Sequence, residues 1–221
     1  VIISFALFLL VKLTIFTNLL QTADAQYYNA YLVLGIFAWM YLSLSVNGAP
    51  DTFIAAQGWI KSEPLPYTLY AVKAVMREFY NFALTAIPVA IALYFIGLPI
   101  TNTAVYCLPA IAFYFLNSLA LKLLLGIIGA RFRDVSHLVK AVMWPMMFLS
   151  PIFWMPSQME ALMKYLWWNP FYHYINILRA PIIDHQIPWD SWMFVSVTYG
   201  IITVIGFLFL ARFRQRLVFW F

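Results

Sequence analysis

Residues 127–140 read IIGARFRDVSHLVK, and they break the pattern of everything around them. Leu, Ile, Val, Phe and Ala dominate both flanks, while Arg131, Arg133 and Asp134 stand together, followed by His137 and Lys140. A Lys or Arg left at the centre of a bilayer costs about 2.5–3.5 kcal/mol, so charges grouped between two long apolar runs mark a turn at a membrane surface. The two flanks are then membrane-spanning segments.

The rest of the chain supports this. It is 65% hydrophobic and 10% charged, with a mean hydropathy of +0.85. A soluble domain is roughly 45–50% apolar and about 25% charged, so this chain has too little polar surface to cover a globule in water. At about 20 apolar residues per crossing, its 221 residues accommodate six spans with their loops. The spans are expected at about 1–20, 31–46, 70–96, 103–128, 138–154 and 192–210. Lys12 interrupts the first, and Asn47, Gly48 and Pro50 end the second. The runs are continuous rather than alternating, which makes them helices rather than barrel strands. The expected architecture is a single all-α integral membrane domain over 1–221. Val1 lies inside an apolar run with no basic segment or cleavage site before it, so no signal peptide is expected and further residues are expected to precede it.

The basic residues set the orientation. Lys61, Lys73, Arg77, Lys122, Arg131, Arg133, Lys140, Arg212, Arg214 and Arg216 fall on one side, against Lys164 and Arg179 on the other, ten against two. Positive charge stays on the cytoplasmic side. Loops 49–69 and 129–137 and the C-terminal tail are therefore expected in the cytoplasm. The net charge of +5 follows the same logic, and no nucleic-acid partner is expected. Cys107 is a lone cysteine in an apolar run, which excludes an internal disulfide and fits a buried, inert thiol.

Segment 156–191 is the long external piece. Ser157 and Glu160 form a capping box, and Met159, Leu162, Met163 and Leu166 fall at helical spacing. A second helix starts with Asn169 as cap and Pro170 at its first position, and is expected to end before Pro181. Both helices, about 157–180, are too short to span. They should rest on the outer interface or dip into it.

Taken together, GARFRDVSHLVKAVMWPMMFLSPIFWMP (129–156), WNPFYHYINILRAPIID (168–184) and AAQGWIKSEPLPYTLYAVKAVMRE (55–78) resemble the permease subunit of polysaccharide ABC exporters. These are the ABC-2 type membrane domains that export O-antigen, capsule or teichoic acid chains. The likeness runs from about Tyr31 to the C-terminal tail. Ser150–Pro151, the Asn169–His173 segment and Arg179–Pro181 look closest to the O-antigen branch. Family members begin with an amphipathic interface helix before the first span, and none is expected within residues 1–221. The resemblance implies a bacterial inner-membrane protein that works with a separate ATPase and moves a polysaccharide carried on polyprenyl pyrophosphate.

The residues themselves are consistent with an external energy source. The chain has no G-x-x-x-x-G-K-[ST] loop to cradle ATP phosphates, so no cofactor is expected on it and ATP and Mg²⁺ belong to the partner. Its acids lie in loops or at span ends, except Glu78, which is expected to snorkel or pair locally with Lys73 and Arg77. A short helix at about 52–63 is implied as the coupling element, with Gln57, Trp59, Ile60 and Lys61 facing the ATPase. Trp59 and Ile60 are exposed hydrophobes unless a partner or headgroups cover them. Arg131, Arg133 and Asp134 face the ATPase or anionic headgroups, or serve as a topology anchor alone.

Sugar chains slide well over aromatic faces, which offer apolar contact without fixed hydrogen bonds. Phe5, Phe8 and Phe16 share a helix face with Lys12, and Trp144 and Phe148 dot the fifth span. These are candidate channel residues, with lipid-facing or packing roles as the alternative. On the outside, Asn169, Pro170, His173 and Arg179 are implied as an exit gate. Arg179 is expected either to attract a phosphate-bearing headgroup or to cap its own helix, and His173 to be a satisfied histidine rather than a metal ligand. Six helices cannot both pack and enclose a polymer-wide channel, so a homodimer with two ATPases is expected. The competing classes are an ABC-2 exporter of a small molecule or lipid, a passive channel, and an integral-membrane glycosyltransferase, for which Asp184 and Asp190 lack the DxD spacing.

The topology has a direct check: a cysteine at position 133 should react with an impermeant reagent only from the cytoplasmic face. Labelling from outside the cell alone would invert the whole arrangement.

Overall fold

The computed structural model describes residues 2–20, 25–63, 65–99, 101–156 and 163–220, and the side chains of all of these except 16–20 and 163. They form ten α-helices and short 3-10 turns, with no strand among the described residues. The helices are α1 (Ile2–Leu20), α2 (Ala25–Gly48), α3 (Thr52–Ala55), α4 (Gln57–Ser62), α5 (Tyr67–Ile96), α6 (Cys107–Arg131), α7 (Val135–Leu149), α8 (Met163–Leu166), α9 (Pro170–Ile183) and α10 (Trp189–Phe213). A 3-10 turn, Asn102–Tyr106, leads into α6, and another, Leu217–Trp220, closes the chain. Among the described residues, four helical stretches are long and apolar enough to cross a membrane: Ala25–Gly48, Tyr67–Ile96, Asn102–Arg131 and Trp189–Phe213. The apolar part of α1, Ile2–Ile15, and α7 are shorter.

The bundle is organised around α2. Every residue from Ala30 to Trp39 is buried, and α1, α5, α6, α7 and α9 all pack on it. A helix covered on all sides must be apolar all round, which explains the absence of an amphipathic pattern in its sequence. It also starts six residues earlier than hydropathy suggests. Gln26 and Tyr28 look polar, but Gln26 Nε2 donates to the Gly97 carbonyl (3.0 Å) and the Tyr28 hydroxyl to the Phe153 carbonyl (2.8 Å), so the bundle receives them.

Two further boundaries differ from the sequence-based expectation. The fifth apolar segment was expected to reach residue 154, but α7 stops at Leu149. Pro151 disfavours helical geometry at the preceding residue, and Ser150 is extended (φ −89°, ψ 141°). Conversely, α9 does not end before Pro181. It runs to Ile183 with Pro181 inside its last turn. There the ring removes only the bond to Ile177, while Ala180, Pro181 and Ile183 are all buried. The expected cytoplasmic helix at 52–63 is broken at Ala56 into α3 and α4. The Ser157–Glu160 capping box lies outside the described residues.

Helix α9 runs antiparallel to α2. Phe171 meets Trp39 edge to face (5.3 Å), Arg179 stacks on Tyr31, and Asp184 accepts a hydrogen bond from Tyr27 (2.7 Å). Buried side chains separate into two clusters: a large one around α2 and α9, and a small one at the basic end, where Phe53, Ile60, Tyr70, Ile127 and Leu217 meet. The small cluster packs α3 and α4, the ends of α5 and α6, and the C-terminal turn together.

The close approach of α6 to the Pro50 turn depends on Gly129, where a Cβ would collide with the Pro50 carbonyl. Gly129→Ala should therefore lose about 1–3 kcal/mol, seen as a lower thermal unfolding midpoint in detergent. Gly200→Ala, in open space on α10, should unfold like the parent.

Candidate functional site

Two polar constellations interrupt the apolar bundle, one at each end. At the basic end, α2 finishes at Gly48 and the chain turns into α3. Asp51 in that turn accepts from Ser136 (2.8 Å) and lies 3.4 Å from Lys140 Nζ, which ties the 49–51 turn to the start of α7. Deeper, Lys122 on α6 and Glu78 on α5 form an ion pair of 2.8 Å whose side chains are only 1% and 6% exposed. Ser45 donates to Ser118 (2.6 Å), which in turn donates toward Glu78 (3.5 Å), so one polar ladder links α2, α5 and α6. Glu78 thus does not pair locally with Lys73 or Arg77. Its partner comes from the next span, and Lys122 is an internal cation rather than a surface topology signal.

The expected coupling residues gather at this end. Gln57, Trp59 and Lys61 are exposed on α4, and Lys73 Nζ sits 5.0 Å above the Trp59 ring. Ile60 differs: it is buried beside Phe53 and Leu217, so the chain itself covers it. Arg131, Arg133 and Asp134 are exposed at the end of α6 and in the turn after it. The Arg131 guanidinium lies 5.5 Å from the Trp220 ring, which joins this turn to the C-terminal tail.

At the other end, the elbow after α7 leaves carbonyls that no helix satisfies. Tyrosines of α2 and polar groups of α9 take them up. Pro151 O accepts from Tyr31 (2.9 Å) and from Arg179 Nη1 (2.9 Å), Trp154 O from Tyr31 (3.2 Å), and Phe153 O from Tyr28 (2.8 Å). Asn169 caps α9 through the Phe171 N–H (3.0 Å) and also donates to Ser150 Oγ (3.1 Å), with Pro170 in the first turn. Arg179 therefore neither faces the outer surface nor caps its own helix. It is 5% exposed, with its guanidinium 3.6 Å from the Tyr31 ring. It passes α2 where Gly35 leaves room; a Cβ at 35 would collide with Nη2. His173 is fully buried against Phe194. Trp167 O can only accept, so Nε2 carries the proton (2.9 Å), and Nδ1 takes the Ser191 hydroxyl (3.1 Å). Both nitrogens are occupied, which leaves no lone pair for a metal.

The candidate channel residues divide. Phe5 is buried in the core, and Phe16 lies outside the described side chains. Phe8, Trp144 and Phe148 are exposed. Lys12 Nζ lies over both Phe8 (5.6 Å) and Phe153 (5.3 Å); Phe153 meets Phe148 (6.4 Å), and Phe148 meets Trp144 (5.7 Å). One continuous aromatic face thus runs across α1, the elbow and α7.

A family model for the ABC-2 type transporter matches residues 1–183. The chain belongs to that family. This ABC-2 chain is a transport membrane subunit rather than a catalyst, and ABC-2 permeases work with a separate ATPase subunit. It is also similar to the "O-antigen export system permease protein RfbA" of Myxococcus xanthus, at 22% identity over 188 residues, covering 82% of this chain and 71% of the relative.

The sequence alone did not expose the Glu78–Lys122 pair or the hydrogen bonds that Tyr28 and Tyr31 donate to the elbow carbonyls. The available signals were an acid inside a span, a lysine inside the next, and tyrosine hydroxyls at the head of a buried helix. Removing one member of a buried ion pair strands the other. Lys122→Met alone should cost about 3–5 kcal/mol, whereas Glu78→Leu with Lys122→Met should stay near the parent, as read from denaturant or thermal unfolding of the purified protein.

Proposed function

We propose that this ABC-2 permease exports a polysaccharide linked to polyprenyl pyrophosphate, O-antigen in the first instance, across a bacterial inner membrane. The observation that carries this is the aromatic face around Lys12, in which Phe8, Phe148 and Trp144 are exposed and the half-buried Phe153 joins them. A row of rings offers a sliding sugar chain repeated apolar contact, and the lysine complements a pyrophosphate. On one chain this face is half a channel. Two copies facing each other across a two-fold axis close it. The named function of the Myxococcus relative supports the same cargo class.

In this scheme α1, α2, α5, α6 with its leading turn, α7 and α10 all cross, and α8–α9 re-enter from the outside. The antiparallel course of α9 along the outer half of α2 supports that re-entry. With Asn169 and Arg179 bonded to the elbow, Pro170 in the first turn and His173 packed against α10, α9 gates the exit. Gln57, Trp59 and Lys61, with Arg131, Arg133 and Asp134, form the surface on which two copies of the ATPase push, and ATP and Mg²⁺ stay on those subunits. Two structural features support this surface: α4 rests on a cluster shared with α5 and α6, and the Pro50–Asp51 turn before it is hydrogen-bonded to α7.

The test is export of lipid-linked polysaccharide by cells or proteoliposomes carrying the permease and its ATPase. Trp59→Ala or Arg133→Ala should lower ATPase-driven export roughly five-fold or more, by analogy with ordinary coupling energies, with membrane insertion unchanged. Full export in both variants would remove the coupling surface, and equal flux without the ATPase would make the protein a passive channel.

A further inference from the structure

A cavity of about 610 Å³ opens between α3–α4 and α5 at the basic end, lined by Asp51, Trp59, Lys73, Arg77, Glu78 and Lys122 among others. Its volume falls in the range of small-molecule sites, about 300–1,000 Å³. Three cations face two carboxylates there, and both carboxylates are engaged. Glu78 holds Lys122 at 2.8 Å, while Asp51 is turned to Ser136 and Lys140. Lys73 and Arg77 have no carboxylate partner among the described residues. Lys73 instead lies over the exposed Trp59 ring, and Arg77 is exposed at the cavity wall. Arg77 feels the Glu78 carboxylate, already paired with Lys122, only at a distance, so two cations without an ion-pair partner stand beside an open cavity, and a guanidinium next to an ammonium suits a phosphate.

The surface below the cavity identifies the source of that phosphate. Lys73, Met76, Arg77, Tyr80, Ala83 and Ile87 recur at helical spacing on α5 and are all exposed, so they share a face. Met76 is 53% exposed, Tyr80 64% and Ile87 48%. An uninterrupted apolar track therefore leads from the two cations toward the membrane interior along a spanning helix. A phosphate with an acyl chain attached fits both parts; a free phosphate or a nucleotide uses only the first. Trp59 at the rim is placed as an interfacial aromatic.

We propose that this cavity is a binding site for an anionic membrane lipid, with the headgroup phosphate between Lys73 and Arg77 and an acyl chain along Met76, Tyr80 and Ile87. Such a lipid wedges α4 against α5, beside the buried pair that joins α5 to α6. The site depends on α5 spanning the bilayer. It takes only its leaflet, the cytoplasmic one, from the function proposed above.

Native mass spectrometry of the full-length permease in detergent tests this without any transport readout. Phosphatidylglycerol should be retained about tenfold or more over phosphatidylcholine, since each surface cation contributes roughly 1 kcal/mol toward an anionic lipid. Lys73→Gln with Arg77→Gln should abolish that preference, while Arg133→Gln, outside the cavity, should keep it. Inorganic pyrophosphate at equal concentration should not displace the lipid. Equal retention of the two lipids by the parent, or an unchanged preference in the double variant, overturns the site. Displacement by pyrophosphate alone overturns the lipid as its occupant. Failure of polysaccharide export with lipid preference intact would count against the proposed function and leave the site standing.

Discussion

Inside a bilayer no water is available to a backbone carbonyl that has left its helix, so every interruption of a span must be answered by another part of the same protein. This constraint accounts for most of what is polar in the bundle. The elbow after α7 exposes the carbonyls of Pro151, Phe153 and Trp154, and α2 supplies Tyr28 and Tyr31 to meet them. Arg179 completes the set from α9, at the cost of burying a cation. Its charge is softened by the Tyr31 ring, which lies in stacking range. Three stretches distant in sequence, the tyrosines near residue 30, the Ser-Pro pair at 150 and the Arg-Ala-Pro at 179, are therefore parts of one joint.

The basic end obeys the same constraint with side chains. Glu78 and Lys122 stay buried because each is the other's solvent. Ser118 and Ser45 extend that contact to α2, so α2, α5 and α6 are linked by polar contacts at one depth. Just beyond, α3 and α4 rest on a small apolar cluster that also takes in Leu217 from the C-terminal turn. Helix α4 is thereby packed against α5, α6 and the tail rather than left in a free loop.

Much of this was legible in the sequence, and what was not has physical causes. Apolar run length located the helices because the bilayer dictates it, and the Asn169–Pro170 start of α9 was readable because capping is local chemistry. The helix boundaries at Ala25 and Ile183 were missed because the polar residues and the proline there are stabilised by partners far along the chain. Arg179 looked like an exit-face charge because one-dimensional counting assigns a side but not a depth. Ile60 looked exposed for the same reason: Phe53 is near in sequence, but Leu217 is not. Pairings such as Glu78 with Lys122 belong to the assembled bundle, and no spacing rule on one helix reveals them.

The brevity of α7 has a consequence for the lipid around it. Its fifteen residues rise about 22 Å at 1.5 Å each, against a hydrocarbon layer of about 30 Å. A segment that falls short draws the two headgroup layers together or hands the remaining depth to neighbouring protein. In the six-span scheme proposed above, α7 is a crossing of this kind, and the apolar barrier beside Trp144 and Phe148 is thinner than elsewhere along the longer helices.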